Sequence, residues 1–205
     1  EADLSEEIIR IKGYDHIPTA NVRTSDKVNS AILSKEQKLI SKAKHFIAAQ
    51  GYNELVTWSF SFSENCQFFG DCNKLKIVNP ISEDLDILRP NLLPNLIGAI
   101  KKNASRDFDS FSIFEVSTQY KTSEPEDQIN IACGIKAGIR QNKDWQNEKI
   151  LFDVYDSKRD LFSLIDHLIP QQKKLTIIDE SPDWYHPGRS ATVMLNKSVK
   201  IGYFG

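Results

Sequence analysis

A chain of 205 residues, 40% hydrophobic and 26% charged, is long enough for one sizeable core with a small appended piece. Its formal net charge of -2 excludes the broad basic field of a stand-alone nucleic-acid binder, so any RNA contact would have to be local. No apolar run is long enough to span a bilayer and no basic-then-apolar leader opens the chain, a profile that points to the cytoplasm and to no membrane partner.

The first segment, EADLSEEIIRIKGYDHIP, places Leu4, Ile8, Ile9 and Ile11 at near-helical spacing and ends on Gly13 and Pro18. It predicts a short helix with an acidic first turn. Thr19 to Asn29 is polar and without periodicity, so the expected organisation is a leading piece at 1–18, a linker at 19–33 and a main domain at 34–205. In SKEQKLISKAKHFIAAQG, Ser34 and Gln37 form a capping-box pattern, Leu39, Ile40, Ala43, Phe46 and Ile47 build an apolar face, and Gly51 fits the stop. In ELVTWSFSF, Val56, Trp58, Phe60 and Phe62 alternate with Leu55, Thr57, Ser59 and Ser61, the pattern of a half-buried antiparallel strand.

A short strand at Leu75 to Val78 meets the turn signal Asn79-Pro80. A helix follows, with Leu93, Leu96, Ile97, Ile100 and Ala104 on one face, Asn91 placed to cap and Pro94 tolerated in its first turn. FSIFEVSTQY, INIACGIKAGI and SATVML alternate as strands, and RDLFSLIDHLIP repeats Leu161, Leu164, Ile165 and Leu168 as a helix before Pro170. Few helices and many strands without βαβ alternation predict an α+β domain around an antiparallel sheet. Because VKIGYFG calls for a following turn and partner strand, and Glu1 stands where a Met would begin a protein, an excised piece truncated at its C-terminal end is expected.

The phosphate-loop, dinucleotide, zinc-protease and hydrolase signatures are missing from this sequence. Cys66, Cys72 and Cys133 form no CxxC pair and read as reduced thiols, Cys133 as a small buried hydrophobe. His16, His45, His167 and His186 are read as surface or cap residues. Asp3, Glu6 and Glu7 fall within one helical turn of each other, which suits Mg²⁺ coordination but equally complements the helix dipole. In WYHPGRSATVML, Pro187 and Gly188 form a turn beside Arg189, which could bind an anion or simply pair with an acidic neighbour.

The run of blocks EADLSEEIIRIKGYDHIP, LVTWSFSF, IVNPISEDLDILRPNLLPNLIGAIKKNASR with FSIFEV, and WYHPGRSATVML with IGYFG resembles the β subunits of bacterial phenylalanyl-tRNA synthetases, in the family's order. The resemblance implies the closing helix of a B5 domain followed by a non-catalytic copy of the class II synthetase core. It further implies packing against a catalytic α subunit in an α2β2 assembly, with ATP bound by α, tRNA(Phe) reached through the holoenzyme, and Lys35 to Phe62 contributing the inter-subunit packing. Leu39, Ile40, Ala43, Phe46 and Ile47 are the interface candidates. The same resemblance favours a Mg²⁺ shared with α at Asp3, Glu6 and Glu7, bound weakly here because a further aspartate of the pattern would precede Glu1.

A class II motif 2 pairs an arginine with a glutamate two residues on, whereas Arg89 is followed by Pro90 and Asn91. Arg89 therefore reads as a tie between loop and core. Where the family has FFDLKG this chain has Val154 to Arg159, so Arg159 replaces a glycine and raises the question of backbone strain. Two other readings stay open: an autonomous class II-like ATP-using paralogue, and an RNA-binding module resting on Lys101, Lys102 and Arg106.

Overall fold

A computed structural model describes residues 1–20, 32–170 and 174–205. The chain divides into two compact units, Glu1–Ser34 and Lys35–Gly205. The linker expected at 19–33 lies mostly outside the described residues. In the first unit, α1 (Ala2–Lys12) is an exposed helix that stops at Gly13, whose φ of 99° suits a residue without a side chain, and a 3-10 turn follows at Tyr14–His16.

The second unit starts with α2 (Lys35–Ala49), directly after Ser34. Next come β1 (Asn53–Glu54), β2 (Phe60–Ser61), the short α3 (Ser63–Cys66) and β3 (Ile87–Leu88). Leu75 to Val78 forms a single bridge, Lys76 to Ile87, in place of the expected strand. Helix α4 (Leu93–Ala104) carries Pro94 in its first turn, and the Asn91 side chain accepts the Leu93 N–H at 2.9 Å.

A long hairpin organises the domain. β4 (Ser110–Tyr120) pairs antiparallel with β5 (Gln128–Gln141) in continuous register from Ser110 opposite Gly138 to Tyr120 opposite Gln128. β6 (Ile150–Leu151) extends the far end of β5, and β1 lies along β4 in parallel, giving the order β1-β4-β5-β6. The antiparallel expectation thus holds for most of the sheet but not for β1. The chain between β1 and β4 runs through α3 and α4, and a connection of that length permits a parallel return.

α5 (Val154–Leu168) begins earlier than its apolar repeat shows, because the Asp153 side chain accepts the N–H groups of Tyr155 and Asp156 while Asp156 reaches back to the Asp153 N–H. Behind α5 stands a three-stranded antiparallel sheet of β7 (Leu175–Ile178), β8 (Ala191–Leu195) and β9 (Val199–Phe204). β7 escaped the sequence reading, since four residues are too few to show a period.

Two apolar layers fix α5 in place. Ala43 and Ile47 of α2 pack on Phe114 and Val116 of β4, joined by Leu164 and Leu168. Ile165 packs on Ala191, Val193 and Phe204. One helix therefore serves both sheets.

Candidate functional site

Arg89 follows β3 and is fully buried, as is Glu115 at the centre of β4. Their side chains meet at 2.9 Å. The guanidinium makes its further hydrogen bonds to two segments: Nε on the Thr118 carbonyl at 2.9 Å and Nη2 on Ser117 Oγ at 2.7 Å, both on β4, and Nη1 on Thr57 Oγ1 at 2.9 Å and the Trp58 carbonyl at 3.3 Å. Thr57 Oγ1 in turn donates to the second carboxylate oxygen of Glu115 at 2.7 Å. Asn95 of α4 closes the cage, donating to Thr57 Oγ1 at 3.1 Å and the Trp58 carbonyl at 2.9 Å while accepting from Ser61 Oγ at 2.9 Å. A dry ion pair survives only with this degree of satisfaction, because each ion loses its hydration. The loop-to-core tie expected of Arg89 is what the structure contains.

This network decides how residues 55–61 face. Thr57 and Ser61 are drawn inward by hydrogen bonds, and the pleat then turns the alternate side chains out. Val56 is 87% exposed, Trp58 73% and Phe60 38%. The half-buried alternation is present, but with the polar side in and the apolar side out, the reverse of the usual arrangement. The ladder is also broken into β1 and β2, because side chains of Arg89 and Asn95 take the Trp58 carbonyl that a neighbouring strand would otherwise use.

The five interface candidates on α2 separate. Ala43 and Ile47 are buried against this chain's own β4, so a partner cannot reach them, and Ile40 packs beside them. Phe46 stacks on His167 with ring centroids 4.3 Å apart. Leu39 stays about half exposed. Periodicity identified the shared face of α2, and the chain's own sheet covers most of it.

On α1, Asp3, Glu6 and Glu7 are all exposed, and Glu7 is taken by Arg10 at 2.5 Å. Among the described residues no three His, Cys, Asp or Glu side chains gather closely enough to hold a metal ion. Asp3 and Glu6 face solvent beside the exposed Glu7–Arg10 pair. The four histidines are exposed on separate elements. Arg189 is exposed within the His186–Arg189 turn, where its backbone N–H donates to the His186 carbonyl at 3.0 Å. Lys101, Lys102 and Arg106 are likewise exposed.

A second polar chain ties α5 to β5. Lys136 Nζ meets Asp160 at 2.6 Å, and Tyr52 donates to the same carboxylate at 2.8 Å. Burial and the adjoining Asp160 push the Tyr52 phenol far above its ordinary range. Arg159 bridges Asp160 at 3.0 Å and Asp156 at 2.9 Å, and Arg140 reaches Asp156 from β5 at 3.2 Å. Burial opposes ionisation of Asp156, yet the Asp153 N–H and the two arginines outweigh it and hold its carboxyl below the usual range. Arg159 lies inside α5 and is not among the residues with positive φ, so replacing the glycine strains nothing and adds two ion pairs. Cys133, opposite Glu115, is a reduced thiol whose pKa burial pushes up to about 12, in keeping with an unreactive packing residue.

Comparison with known proteins places these features. The family described as the phenylalanyl tRNA synthetase beta chain CLM domain matches residues 20–205. The chain is 37% identical over 210 residues to the phenylalanine–tRNA ligase beta subunit of Bartonella henselae, covering 100% of this chain and 26% of that protein. It is 36% identical over 206 residues to that of Paramagnetospirillum magneticum, again covering 26% of the relative. The chain thus spans about a quarter of the length of the curated relatives it matches. Among solved structures, a pyrrolysyl-tRNA synthetase from Desulfitobacterium hafniense superposes with a TM-score of 0.56 at 14% identity, over 97% of this chain and 63% of that one. A second structure from that organism, PylSc, gives 0.55 at 13%, over 97% and 60%. At such identity the likeness concerns the fold, which is that of class II synthetases.

Proposed function

The chain belongs to the phenylalanyl-tRNA synthetase β-chain family, and we propose that it acts there as a non-catalytic scaffold that packs against the α subunit. The observation that carries this reading is the outward stripe of Val56, Trp58 and Phe60, held in place from behind by the buried Arg89 network. Large exposed apolar side chains on a segment braced against the core mark a surface meant for a partner. The stripe replaces Ala43 and Ile47 as the contact surface, with Leu39 beside them as the α2 residue still free to contribute.

Two features weigh against an adenylation site in the chain. The arginine that could bind ATP phosphates is fully buried and fully bonded, and the sequence around it lacks the paired glutamate. In this reading ATP belongs to α, and tRNA(Phe) is reached by the α2β2 holoenzyme. In this reading Asp3, Glu6 and Glu7 on the exposed face of α1 are the residues this chain would contribute to a Mg²⁺ shared with α, the remaining ligands coming from outside these residues.

The test is Trp58→Glu in the full-length β subunit co-expressed with α. Assembly measured by size-exclusion chromatography is expected to fall at least about tenfold, since a charge would be desolvated at the contact. Normal assembly of Trp58→Glu would refute the surface. Phenylalanine-dependent ATP–pyrophosphate exchange by the β subunit alone would refute the scaffold reading.

A further inference from the structure

The connection between β5 and β6, residues 142–149, is exposed throughout, yet it is firmly built. Asp144 donates its N–H to the Asn147 carbonyl at 3.0 Å. In return the Asp144 carboxylate accepts the N–H of Gln146 at 2.8 Å and that of Asn147 at 2.7 Å, while the Asn147 side-chain amide bonds both carboxylate oxygens at 3.1 Å. Lys143 pairs with Glu148 at 3.2 Å across the base. The Asn147 amide and the two backbone N–H groups hold the Asp144 carboxyl below its usual range, so the tie stays ionised at neutral pH.

Trp145 stands at the tip of this turn and is 89% exposed. None of these bonds serves the core, since no residue of the connection is buried. Their effect is to fix the backbone that carries the indole, which lowers the ordering entropy lost when the ring meets a partner. A large aromatic side chain on a pre-ordered turn has the character of an interface anchor.

Charge and position narrow what the ring meets. The connection carries two lysines and two carboxylates, a balance that suits a protein surface and lacks the net positive charge of a nucleic-acid groove. It is also remote from the stripe at Val56, Trp58 and Phe60. Arg89 bonds both the Trp58 and the Thr118 carbonyls, which puts the stripe beside Thr118, opposite Asn130 of β5. From Asn130 to Gln141 β5 advances roughly 30 Å, and Trp145 lies beyond that end. A standard contact of about 800 Å² per partner reaches only about 16 Å from its centre, so one centred on Trp58 stops short of Trp145.

We propose that Trp145 anchors a contact within the β subunit, seated in an apolar pocket formed by a part of the full-length polypeptide outside these 205 residues. The pocket supplies an acceptor for the indole N–H, because a Trp N–H is bonded when it is buried. The same polypeptide is the fitting occupant because the curated relatives are about four times the matched length and a tethered pocket acts at high effective concentration. The proposal rests on family membership and is independent of the α-facing stripe.

Hydroxyl-radical footprinting of the full-length β subunit assembled with α, read by mass spectrometry at Trp145, tests it. Oxidation is expected to be at least about tenfold slower than in a synthetic peptide of residues 142–149, with and without tRNA(Phe), as for a residue at the dry centre of a contact. A smaller reduction, or one that appears only with tRNA(Phe), would overturn it. A benzophenone amino acid in place of Trp145 identifies the pocket. Cross-linking to the same β polypeptide outside this region supports the proposal, and cross-linking to α, to tRNA(Phe) or to a second, isotopically distinguished β chain overturns it. Neither readout depends on Trp58.

Discussion

Arg89 with Glu115 and Arg159 with Asp156 form ion pairs of the same length, 2.9 Å, in opposite surroundings. The first is dry, with side chains 0% and 2% exposed, whereas Arg159 is 57% exposed and shares its carboxylates with Arg140 and Lys136. The lesson is that distance does not set the value of a pair. Burial makes the first indispensable as a unit and lets the second lose a member cheaply.

Arg89→Met gives the largest expected effect, about 3–5 kcal/mol of lost stability, because it strands the buried Glu115 carboxylate and frees Thr57 and Trp58. Equilibrium urea denaturation measures it. A loss below about 1 kcal/mol would erase the contrast between the two regions. Lys136→Met is expected to cost about 1–3 kcal/mol, since Asp160 keeps Tyr52 and Arg159 as partners.

A pH series sharpens the α5 side. The folded pKa of Asp156 lies below its unfolded value of about 3.9, so its contribution is present above that pH and is lost as pH falls through the folded pKa. Denaturation midpoints followed downward from pH 5 should decline less steeply in Asp156→Asn than in the parent. An unchanged slope would show that Arg140 and Arg159 do not hold this carboxylate. Arg159→Gly should have the smallest effect, about 1 kcal/mol, mostly the helix propensity of glycine, with thermal melting as the readout.

Much of the architecture was legible from the sequence because it is local. The 3.6-residue spacing in α2, α4 and α5 and the alternation in β4 and β5 arise from which residues share a face, and neighbours in sequence settle that. The structural role of Arg89 was legible too, from the absence of a paired glutamate at Asn91 and from the proline and helix that follow. Its partners were not. Thr57, Glu115, Ser117 and Thr118 lie 26 to 32 positions away, and no local pattern links them.

By itself the sequence determined the family, the helices α1, α2, α4 and α5, the two strands of the central hairpin and the lack of the motif-2 pairing at Arg89. Only the tertiary structure decided that Val56, Trp58 and Phe60 face outward while Ala43 and Ile47 face in, and that β1 runs parallel to β4. Periodicity names the two faces of an element. Which of them meets the core depends on distant polar groups that must be satisfied once buried, and here Arg89 and Glu115 claimed the inside of the strand first.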